Sequence, residues 1–578
     1  MRSLRLLSAL ALVGASLALV RCINDDSVTP PDGGPDAAGD GTVPDGGPGD
    51  APDDSPPPPP TPDGSLAWFQ HFGTSFTFED LAVNEKGGPS FVVAGGFVSD
   101  GGQPLMMGTQ SVGPARGLVD DVLATLKSSG VVWAITQQPD PIVNPDASGC
   151  QAPTANISWF SSAAVDDNGI IYVAGSASDH EFILKDDFFQ PVSFVAAFSA
   201  TGTPLWQHIY TVDGGVVNGV TDSFGTDTDM NNLPGKMQLA VHGNELFVSF
   251  GFNGNLSYDG DAGAPIASQN ASQDVFVSAL NTSNGSTLWQ TTFGSTSDDT
   301  VEQITTTSAG EVLLVGSTSG TMTGPSGTGF PLPEVSDAGG VYNTYLVKLD
   351  GSGHAVYATE WGGSLDTIGG TVSYANGVVA VGGYLLGTTD FGKGPVTAQA
   401  GVDGFLVVLD DATRNVKYVA SLAGNGDEYI RSAALDPWGD ALVVGNYGNG
   451  SSGASSAQLG SSTLFPATLQ GADAMIVAKL SPTGDVLWSH SFLPSDADGG
   501  PPSPSGIAMI EGVRARATNA GQLVVTGGMN YGADFGSGYQ PLLSANTVVD
   551  YCHLVCFGGC QCRCDAPIVD GFAAAWQP

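Results

Sequence analysis

The sequence predicts an all-β protein, a seven-bladed β-propeller built of four-stranded antiparallel blades. A unit of about 70 residues recurs seven times along the chain, and repeats of this length are typical of propellers and solenoids. Each unit contains four short apolar segments between clusters of Gly, Asp, Asn and Ser, and no long amphipathic helix pattern interrupts them. The repeated part begins on the fourth strand of a unit and ends on a third strand, so its two ends can complete one blade.

An aromatic residue marks the fourth strand of every unit, after a short turn that usually contains glycine. The seven positions are Trp68, Trp133, Trp206, Trp289, Tyr357, Tyr418 and Trp488. Large aromatic residues beside Gly-rich turns are typical of side chains that pack between neighbouring blades. We therefore expect them to belong to the core and not to a ligand-binding platform.

The second and third strands have signatures of their own. The second strand is an apolar run ending in glycine, as at 91–95, 171–175 and 378–382. The third strand usually opens with Asp or Asn two residues before a bulky residue, at Asp121, Asp274, Asn343, Asp403, Asp473 and Asp570. These buried strand interiors between polar turns predict the blades.

The order of the strands predicts how the ring closes and how its two faces differ. Pairing of residues 66–73 with residues 570–576 would complete the seventh blade and leave no open sheet edge. The first-to-second and third-to-fourth turns are short, so one face should be smooth. The opposite face receives the long connections, at 97–118, 137–158, 211–236, 252–272, 317–342, 446–472, 493–511 and 528–569. Long loops on a rigid scaffold are where binding concentrates.

Residues 1–21 have the pattern of a secretory signal, because two arginines precede an apolar run that is too short to span a membrane comfortably. The run ends in Leu-Val-Arg-Cys at 19–22, which resembles the lipobox of bacterial lipoproteins. The resemblance implies an exported protein that is lipidated at Cys22 and held at the outer membrane or cell surface. Arg21 departs from the small residue usual before that cysteine, and an ordinary exported protein is the alternative.

Residues 22–64 predict a disordered tether. They include ten aspartates and twelve prolines and no basic residue. Such a segment cannot bury enough apolar surface to offset its ordering entropy, so it should stay extended. At about 3 Å per residue it could hold the propeller, residues 65–578, roughly 100 Å from a membrane.

Residues 65–578 resemble the seven-copy β-propeller repeat of bacterial surface proteins, the SBBP type. The shared elements are the Asp-x-bulky opening of the third strand, the fourth-strand Trp, the Phe-Gly pairs at 72–73 and 293–294, and Asp-Phe-Gly at 390–392 and 534–536. The resemblance implies the propeller fold and a surface location. It implies no catalytic residue, since that family has no common active site.

The charge of the chain excludes some partners. With 17 basic and 58 acidic residues the formal net charge is −41, which repels nucleic acids and anionic headgroups, so we expect no nucleic-acid partner. Asp227, Asp229 and Asn231 resemble the start of a calcium loop. Asn232 stands where that loop has Gly and Gln238 where it has Glu. We expect no cofactor, with calcium at this loop as the alternative.

Six cysteines besides Cys22 are candidates for disulfides: Cys150, Cys552, Cys556, Cys560, Cys562 and Cys564. An even number in an exported chain favours three disulfide bonds, whose connectivity the sequence leaves open. A zinc or iron–sulfur site is the alternative, but a clean pair of Cys-x-x-Cys elements is missing. The five clustered cysteines cannot all pair with one another, so one must pair with Cys150 or with another chain, or bind a metal. Of these we expect a bridge to Cys150.

These features favour a non-enzymatic surface lipoprotein whose propeller binds a protein or a glycan. One alternative is an outer-membrane β-barrel assembly factor, because its propeller lipoproteins have similar Gly-to-Trp turns, although they usually have eight blades and no long tether. Another is a quinoprotein dehydrogenase, which carries a similar docking motif, but the adjacent-cysteine pair of that family is absent. Neither a Gly-x-Ser-x-Gly elbow nor a His-Glu-x-x-His motif occurs, so we expect no enzyme.

Overall fold

The protein is a closed ring of seven four-stranded antiparallel blades, as the sequence predicts. The structure is a computed structural model, and no helix occurs in the residues that it describes. Those residues are 63–74, 76–97, 104–114, 120–136, 158–177, 192–213, 236–258, 265–269, 272–324, 341–448, 455–460, 463–466, 468, 472–494, 508–529, 535, 551–557, 561–565 and 570–578.

The blades follow one another in chain order after β1 (Leu66–Thr74), which belongs to the last blade. Blade 1 contains β2 (Phe76–Asn84), β3 (Ser90–Phe97), β6 (Asp120–Lys127) and β7 (Gly130–Ile135), with the hairpin of β4 (Pro104–Met107) and β5 (Gln110–Pro114) inserted after β3. Blade 2 contains β8 (Ser158–Val165), β9 (Ile171–Ala177), β10 (Val192–Phe198) and β11 (Pro204–Asp213). Blade 3 contains β12 (Gln238–His242), β13 (Glu245–Phe252), β16 (Asp274–Asn281) and β17 (Thr287–Phe293), with β14 (Asn255–Tyr258) and β15 (Ile266–Ala267) after β13.

The second half of the ring repeats this plan. Blade 4 contains β18 (Asp299–Thr306), β19 (Val312–Thr318), β20 (Asn343–Leu349) and β21 (Ala355–Trp361). Blade 5 contains β22 (Thr367–Ala375), β23 (Val378–Leu385), β26 (Asp403–Asp410) and β27 (Val416–Gly424), with β24 (Thr388–Asp390) and β25 (Pro395–Thr397) after β23. Blade 6 contains β28 (Asp427–Leu435), β29 (Ala441–Gly448), β32 (Ala472–Leu480) and β33 (Val486–Phe492), with β30 (Ala457–Leu459) and β31 (Thr463–Leu464) after β29. Blade 7 contains β34 (Ala508–Ala517), β35 (Leu523–Met529), β38 (Asp570–Trp576) and β1, with β36 (Tyr551–Phe557) and β37 (Gln561–Asp565) after β35.

Blade 7 is completed by both ends of the described chain. Strand β1 pairs antiparallel with β38, in a register that joins Leu66 to Trp576 and Phe72 to Gly571. Two backbone hydrogen bonds extend the pairing, from Gln577 N–H to the Ser65 carbonyl at 2.8 Å and from Asp63 N–H to the Pro578 carbonyl at 3.0 Å. The predicted closure is therefore confirmed, and it removes the sheet edge that an open seventh blade would expose.

The first strand of each blade is the innermost one. Strands β2, β8, β12, β18, β22, β28 and β34 each contact the first strands of both neighbouring blades, so they form an unbroken inner ring. The second and third strands are almost entirely buried, which follows from their position between two blades. Their runs of Val, Leu, Ala and Phe pack in layers on the adjacent sheets, and this burial is the main stabilising term of the fold.

A belt of seven buried polar side chains, one from each innermost strand, joins the blades near the axis. The belt residues are Asp80, Ser162, Gln238, Gln303, Thr371, Ser432 and Arg514. In six of these strands the belt residue directly follows a β-bulge, which turns its side chain toward the neighbouring blade. Five of them, Asp80, Ser162, Gln303, Thr371 and Ser432, accept a hydrogen bond of 3.0–3.1 Å from a backbone N–H of the next blade.

The belt closes through ion pairs where blade 7 meets blade 1. Arg514 Nε lies 3.2 Å and Arg516 Nη2 3.0 Å from Asp80 Oδ1, while Arg514 also donates to Gln238 of blade 3. Burial alone would raise the pKa of Asp80, but the Arg516 and Arg514 guanidiniums outweigh burial and hold the pKa below its usual range. Asp80 therefore stays ionised and paired inside the ring.

The fourth-strand aromatics lock each blade onto the next. Five of the seven pack against a glycine with positive φ in the third-to-fourth turn of the following blade, in the pairs Trp133–Gly202, Trp206–Gly285, Trp289–Gly353, Tyr418–Gly484 and Trp488–Gly64. A Cβ at Gly285 would lie 2.6 Å from the Trp206 ring, so only glycine fits there. Of the seven fourth-strand aromatics, four are buried, namely Trp68, Trp206, Tyr418 and Trp488, and the other three are partly buried. This confirms their predicted core role.

Insertions after the second strands cover the outer edges of the preceding blades. Strand β14 pairs with β11 of blade 2 and β30 with β27 of blade 5, while single bridges join Thr323 to Gly294 and Thr389 to Gly363. The Asp-Phe-Gly element belongs to these insertions. Asp390 Oδ1 accepts the Gly392 N–H at 2.8 Å, and the buried Phe391 ring lies 6.2 Å from that of Trp361 in blade 4. The element is thus a turn that seats a phenylalanine between two blades.

Candidate functional site

The alternating strand directions give the ring two unlike faces. The first-to-second and third-to-fourth turns lie on one face and are short, so we name it the short-turn face. The other connections begin or end on the opposite, long-loop face. Because β1 is a fourth strand, it starts at the short-turn face, and the chain therefore enters the propeller there. The long-loop face points away from that entry.

On the long-loop face, the described mouth of the central channel lies over blades 3 to 6. There the connections between blades are short, at 294–298, 362–366 and 425–426. Much of the described part of the second-to-third insertions packs against outer edges, as the β14 and β30 pairings show. The partly exposed side chains of Asp298, Asp366 and Asp427, at the ends of these short connections, are consequently left at the channel mouth.

A repeated aspartate clamp shapes this mouth. Asp298, Asp366 and Asp427 each stand at a blade junction and accept a backbone N–H from the preceding blade, from Gln273 at 3.0 Å, Tyr342 at 2.9 Å and Val402 at 3.2 Å. The residue after each aspartate donates its N–H back to the carbonyl of the same partner, at 2.8 Å in all three junctions. This reciprocal pairing fixes neighbouring blades edge to edge and orients the side chains that follow.

Charged residues occupy the bulges just below the mouth. The bulged positions on the innermost strands include Glu79, Glu302 and Arg431, all partly exposed. Glu79 forms an ion pair with Lys236, whose Nζ lies 3.0 Å from Glu79 Oε2. The channel is thus lined by charges of both signs near its axis, with carboxylates in the majority at the described clamps and bulges.

Three tyrosines surround these charges, and with their neighbours they form what we name the tyrosine mouth: Tyr342, Tyr384, Tyr429, Glu302, Asp366 and Arg431. The rings of Tyr384 and Tyr429 meet edge to face with centroids 5.2 Å apart, and the Arg431 guanidinium lies 4.5 Å from the centre of the Tyr429 ring. All six side chains are partly exposed. The arrangement presents flat apolar surface beside hydrogen-bond acceptors and one cation.

The pKa shifts of the tyrosines agree with this crowding. Burial, with added repulsion from Asp427, raises the pKa of Tyr429 to about 12, although Arg431 opposes the shift. Burial and the Glu302 carboxylate raise the pKa of Tyr384, and burial with Asp298 and Asp366 raises that of Tyr342. All three hydroxyls therefore stay protonated at neutral pH and can donate hydrogen bonds to a ligand.

The other predicted site residues lie mostly outside the described part of the chain. This holds for Cys22 and the signal, for the tether before Asp63, for Asp227, Asp229 and Asn231, and for Cys150 and Cys560. The backbones of Cys552, Cys556, Cys562 and Cys564 lie on the β36–β37 hairpin, whose register sets Cys556 opposite Cys562. Among the described residues no group of three His, Cys, Asp or Glu side chains is arranged to hold a metal ion.

Sequence reasoning missed the aspartate clamp and the tyrosine mouth. Asp298, Asp366 and Asp427 stand at the start of the first strands, at corresponding positions of three consecutive repeats, and aligning the repeats at that point would have revealed them. The tyrosines leave no such signal, because they come from different strands and blades and meet only in the folded ring.

Comparisons with known proteins give no family for the chain. No family model matches the chain, and no curated protein matches it. Among solved structures it is similar to the quinohemoprotein alcohol dehydrogenase from Comamonas testosteroni, with 11% identity and a TM-score of 0.28, over 80% of this chain and 66% of that one. The chain thus spans just under two thirds of that protein, and a likeness at this level carries no argument about activity. No helix in the described residues is long and apolar enough to cross a membrane.

Proposed function

We propose that this protein is a non-enzymatic, surface-exposed lipoprotein of the SBBP-like type whose propeller binds a protein or a glycan at the tyrosine mouth. The observation that carries the proposal is the partly exposed group of Tyr342, Tyr384 and Tyr429 on the face opposite the point of chain entry. A ligand approaching from outside would meet this face first if the predicted tether, residues 22–64, joins the short-turn face to a lipid on Cys22.

The chemistry of the mouth suits a ligand with both apolar and polar surface. Tyrosine rings bury area at low conformational cost and keep a hydroxyl for hydrogen bonding, which makes tyrosine frequent at recognition sites. The carboxylates of Glu302 and Asp366 can accept hydrogen bonds from sugar hydroxyls or from a basic side chain. The overall charge of −41 disfavours polyanionic ligands, so a neutral glycan or a basic protein segment fits better.

Binding can be tested with the soluble full chain carrying Cys22→Ala, applied to a glycan array and, by cross-linking, to intact cells. The double change Tyr384→Ala and Tyr429→Ala should lower the affinity for the ligand identified in this way by tenfold or more. A loss of this size is typical of central aromatic anchors. The matched control is Val356→Ser, which removes an exposed side chain on an outer strand near the short-turn face and should leave binding unchanged.

The same preparation tests the anchor. Wild-type protein should fractionate with membranes and the Cys22→Ala variant should be released. A wild-type chain that is already soluble, with an amino terminus elsewhere by mass spectrometry, would contradict lipidation. Quinone-dependent dye reduction would favour the dehydrogenase alternative instead, and capture of barrel-assembly components would favour the assembly alternative. Equal binding by the double variant and the control would refute the tyrosine mouth as the site.

A further inference from the structure

Two blade junctions on the long-loop face bury acidic residues against each other. Between blades 5 and 6, Asp403 opens β26 and Glu428 is the second residue of β28, and both side chains are fully buried. Asp403 Oδ2 accepts the Gln399 N–H at 3.0 Å, and Glu428 Oε1 accepts the Gly426 N–H at 3.3 Å. These bonds hold one oxygen of each carboxyl and direct the carboxyls toward each other.

The remaining oxygens, Asp403 Oδ1 and Glu428 Oε2, have no N–H or hydroxyl donor in the part of the chain that the structure describes. Each carboxyl acts on the pKa of the other across the junction. Two carboxylates offer only acceptors and leave these buried oxygens unpaired, whereas a proton on one carboxyl supplies a donor. The junction is therefore satisfied only when the pair holds a shared hydrogen.

Among the described residues, no cation is one of the groups that act on the pair. The charged groups acting on Glu428 are Asp403 from β26 and its own neighbour Asp427, both acidic. Arg431 on β28 and Tyr384 from β23 lie at the same edge, where they act on Tyr429. Burial, followed by repulsion from Asp403, raises the pKa of Glu428 to about 8, and burial raises that of Asp403 to about 6.

A second acidic pair occupies the same positions between blades 3 and 4. Asp274 opens β16 and Asp299 opens β18, and both are buried. Asp299 accepts hydrogen bonds from the Ser295 N–H and hydroxyl, whereas Asp274 Oδ1 has no donor among the described residues. Burial raises the pKa of Asp299 to about 7, with Asp274 adding to the shift, and burial raises that of Asp274 to about 6. Asp299 in turn helps to raise the pKa of Tyr345, which packs from β20.

The junction between these two provides an internal control. Between blades 4 and 5 the equivalent positions are Asn343 and Thr367, which carry no charge. Thr367 shares a 2.7 Å hydroxyl hydrogen bond with Thr389, and Asn343 Nδ2 donates to Glu360 at 2.7 Å. The backbone clamp is the same at all three junctions, so only the side-chain chemistry differs.

We propose that the Asp403–Glu428 and Asp274–Asp299 pairs are proton-dependent locks, which hold the long-loop edges of blades 5–6 and 3–4 together while protonated and loosen them once they ionise. The folded-state pKa values lie above the unfolded ones, so the stabilisation is complete in acid. The stabilisation begins to fall as pH rises above about 4. The contributions of Asp274 and Asp403 are lost near pH 6, that of Asp299 near pH 7 and that of Glu428 near pH 8.

Two other buried groups titrate with the opposite sign, so global stability alone is a poor readout. Burial lowers the pKa of His208 to about 4, and the neutral ring therefore stabilises above about 6.5 and loses that effect as pH falls. Asp80, with its depressed pKa, also stabilises only while ionised. The locks must therefore be tested locally.

Hydrogen exchange of the full chain, corrected for intrinsic rates, should be followed by mass spectrometry from pH 6 to pH 9. As pH rises over this range, the protection factors of amides in 402–406 and 427–433 should fall. The fall should be at least tenfold greater than that of amides in the control junction, 343–347 and 367–373. Glu428→Gln keeps a donor without a charge and should abolish the extra loss. Asp403→Asn is the second variant in case the first fails to fold.

The converse variant, Asn343→Asp, places a carboxyl beside Glu360 and should create the same pH dependence at the control junction. An equal loss of protection at all three junctions in the wild-type protein would overturn the proposal. So would pH dependence that survives unchanged in Glu428→Gln and Asp403→Asn. Neither outcome depends on which ligand the tyrosine mouth binds.

Discussion

Blades 6 and 7 build the same third-to-fourth strand junction, one with a continuous chain and the other without. In blade 6 the turn between β32 and β33 is closed by the Ser481 N–H bonded to the Asp485 carbonyl at 2.8 Å. In blade 7 the Gln577 N–H bonds the Ser65 carbonyl at 2.8 Å in the corresponding place. The registers match as well, with Lys479 opposite Trp488 and Ala575 opposite Trp68.

The glycine of the turn is also preserved across the break. Gly484 has φ of +90° and packs under Tyr418, while Gly64 has φ of +60° and packs under Trp488. The register, hydrogen bond and glycine conformation of this junction are therefore formed without a peptide link between the third and fourth strands. What blade 7 lacks is the low entropic cost of a short turn, so its pairing must be stabilised by packing and hydrogen bonds alone.

Removing the strand that supplies this pairing should have the largest effect. Deletion of residues 66–73 leaves β38 as an open edge and exposes Trp576, which is now buried. We expect aggregation or loss of a single cooperative unfolding transition, measured by calorimetry and light scattering. Unfolding of the truncated protein that matches the wild type would contradict the closed ring.

The charged end of the belt should be the next most sensitive point. Asp80→Ala leaves Arg514 buried without its partner and should cost about 3–5 kcal/mol of unfolding free energy, whereas Ser432→Ala should cost about 1 kcal/mol. Urea titration at constant pH measures both. The double change Asp80→Leu with Arg514→Met removes both charges and should recover most of the loss. If Asp80→Ala were as mild as Ser432→Ala, the ion pair would not be what distinguishes this junction.

The smallest effect tests the equivalence of the two glycines directly. An L-residue at positive φ costs roughly 1–2 kcal/mol, and a Cβ at Gly64 or Gly484 would lie 2.7 Å from the ring above it. Gly64→Ala and Gly484→Ala should therefore lower the unfolding free energy by similar amounts in parallel urea titrations. A much smaller loss for Gly64→Ala would show that the unlinked junction frays.

The repeat made the ring predictable, because aromatic residues and glycines return with the period of the blade. Trp206 and Gly285 illustrate this, since each belongs to a signature visible in the sequence. The belt was not predictable, because its seven positions hold five residue types, and no residue pattern encodes the bulge that precedes six of them. The tyrosine mouth was missed for a related reason: Tyr384 and Tyr429 belong to different strands and approach only after the ring has closed.

The pairing of β1 with β38 also sets a waiting time during synthesis. Strand β1 emerges about 500 residues before its partner, an interval on the order of 30–100 s at ordinary rates of chain elongation. Throughout it, an apolar strand carrying Trp68, Phe69 and Phe72 has no edge to join. A holding chaperone that covers β1 during this interval should be a condition for high yield of the ring.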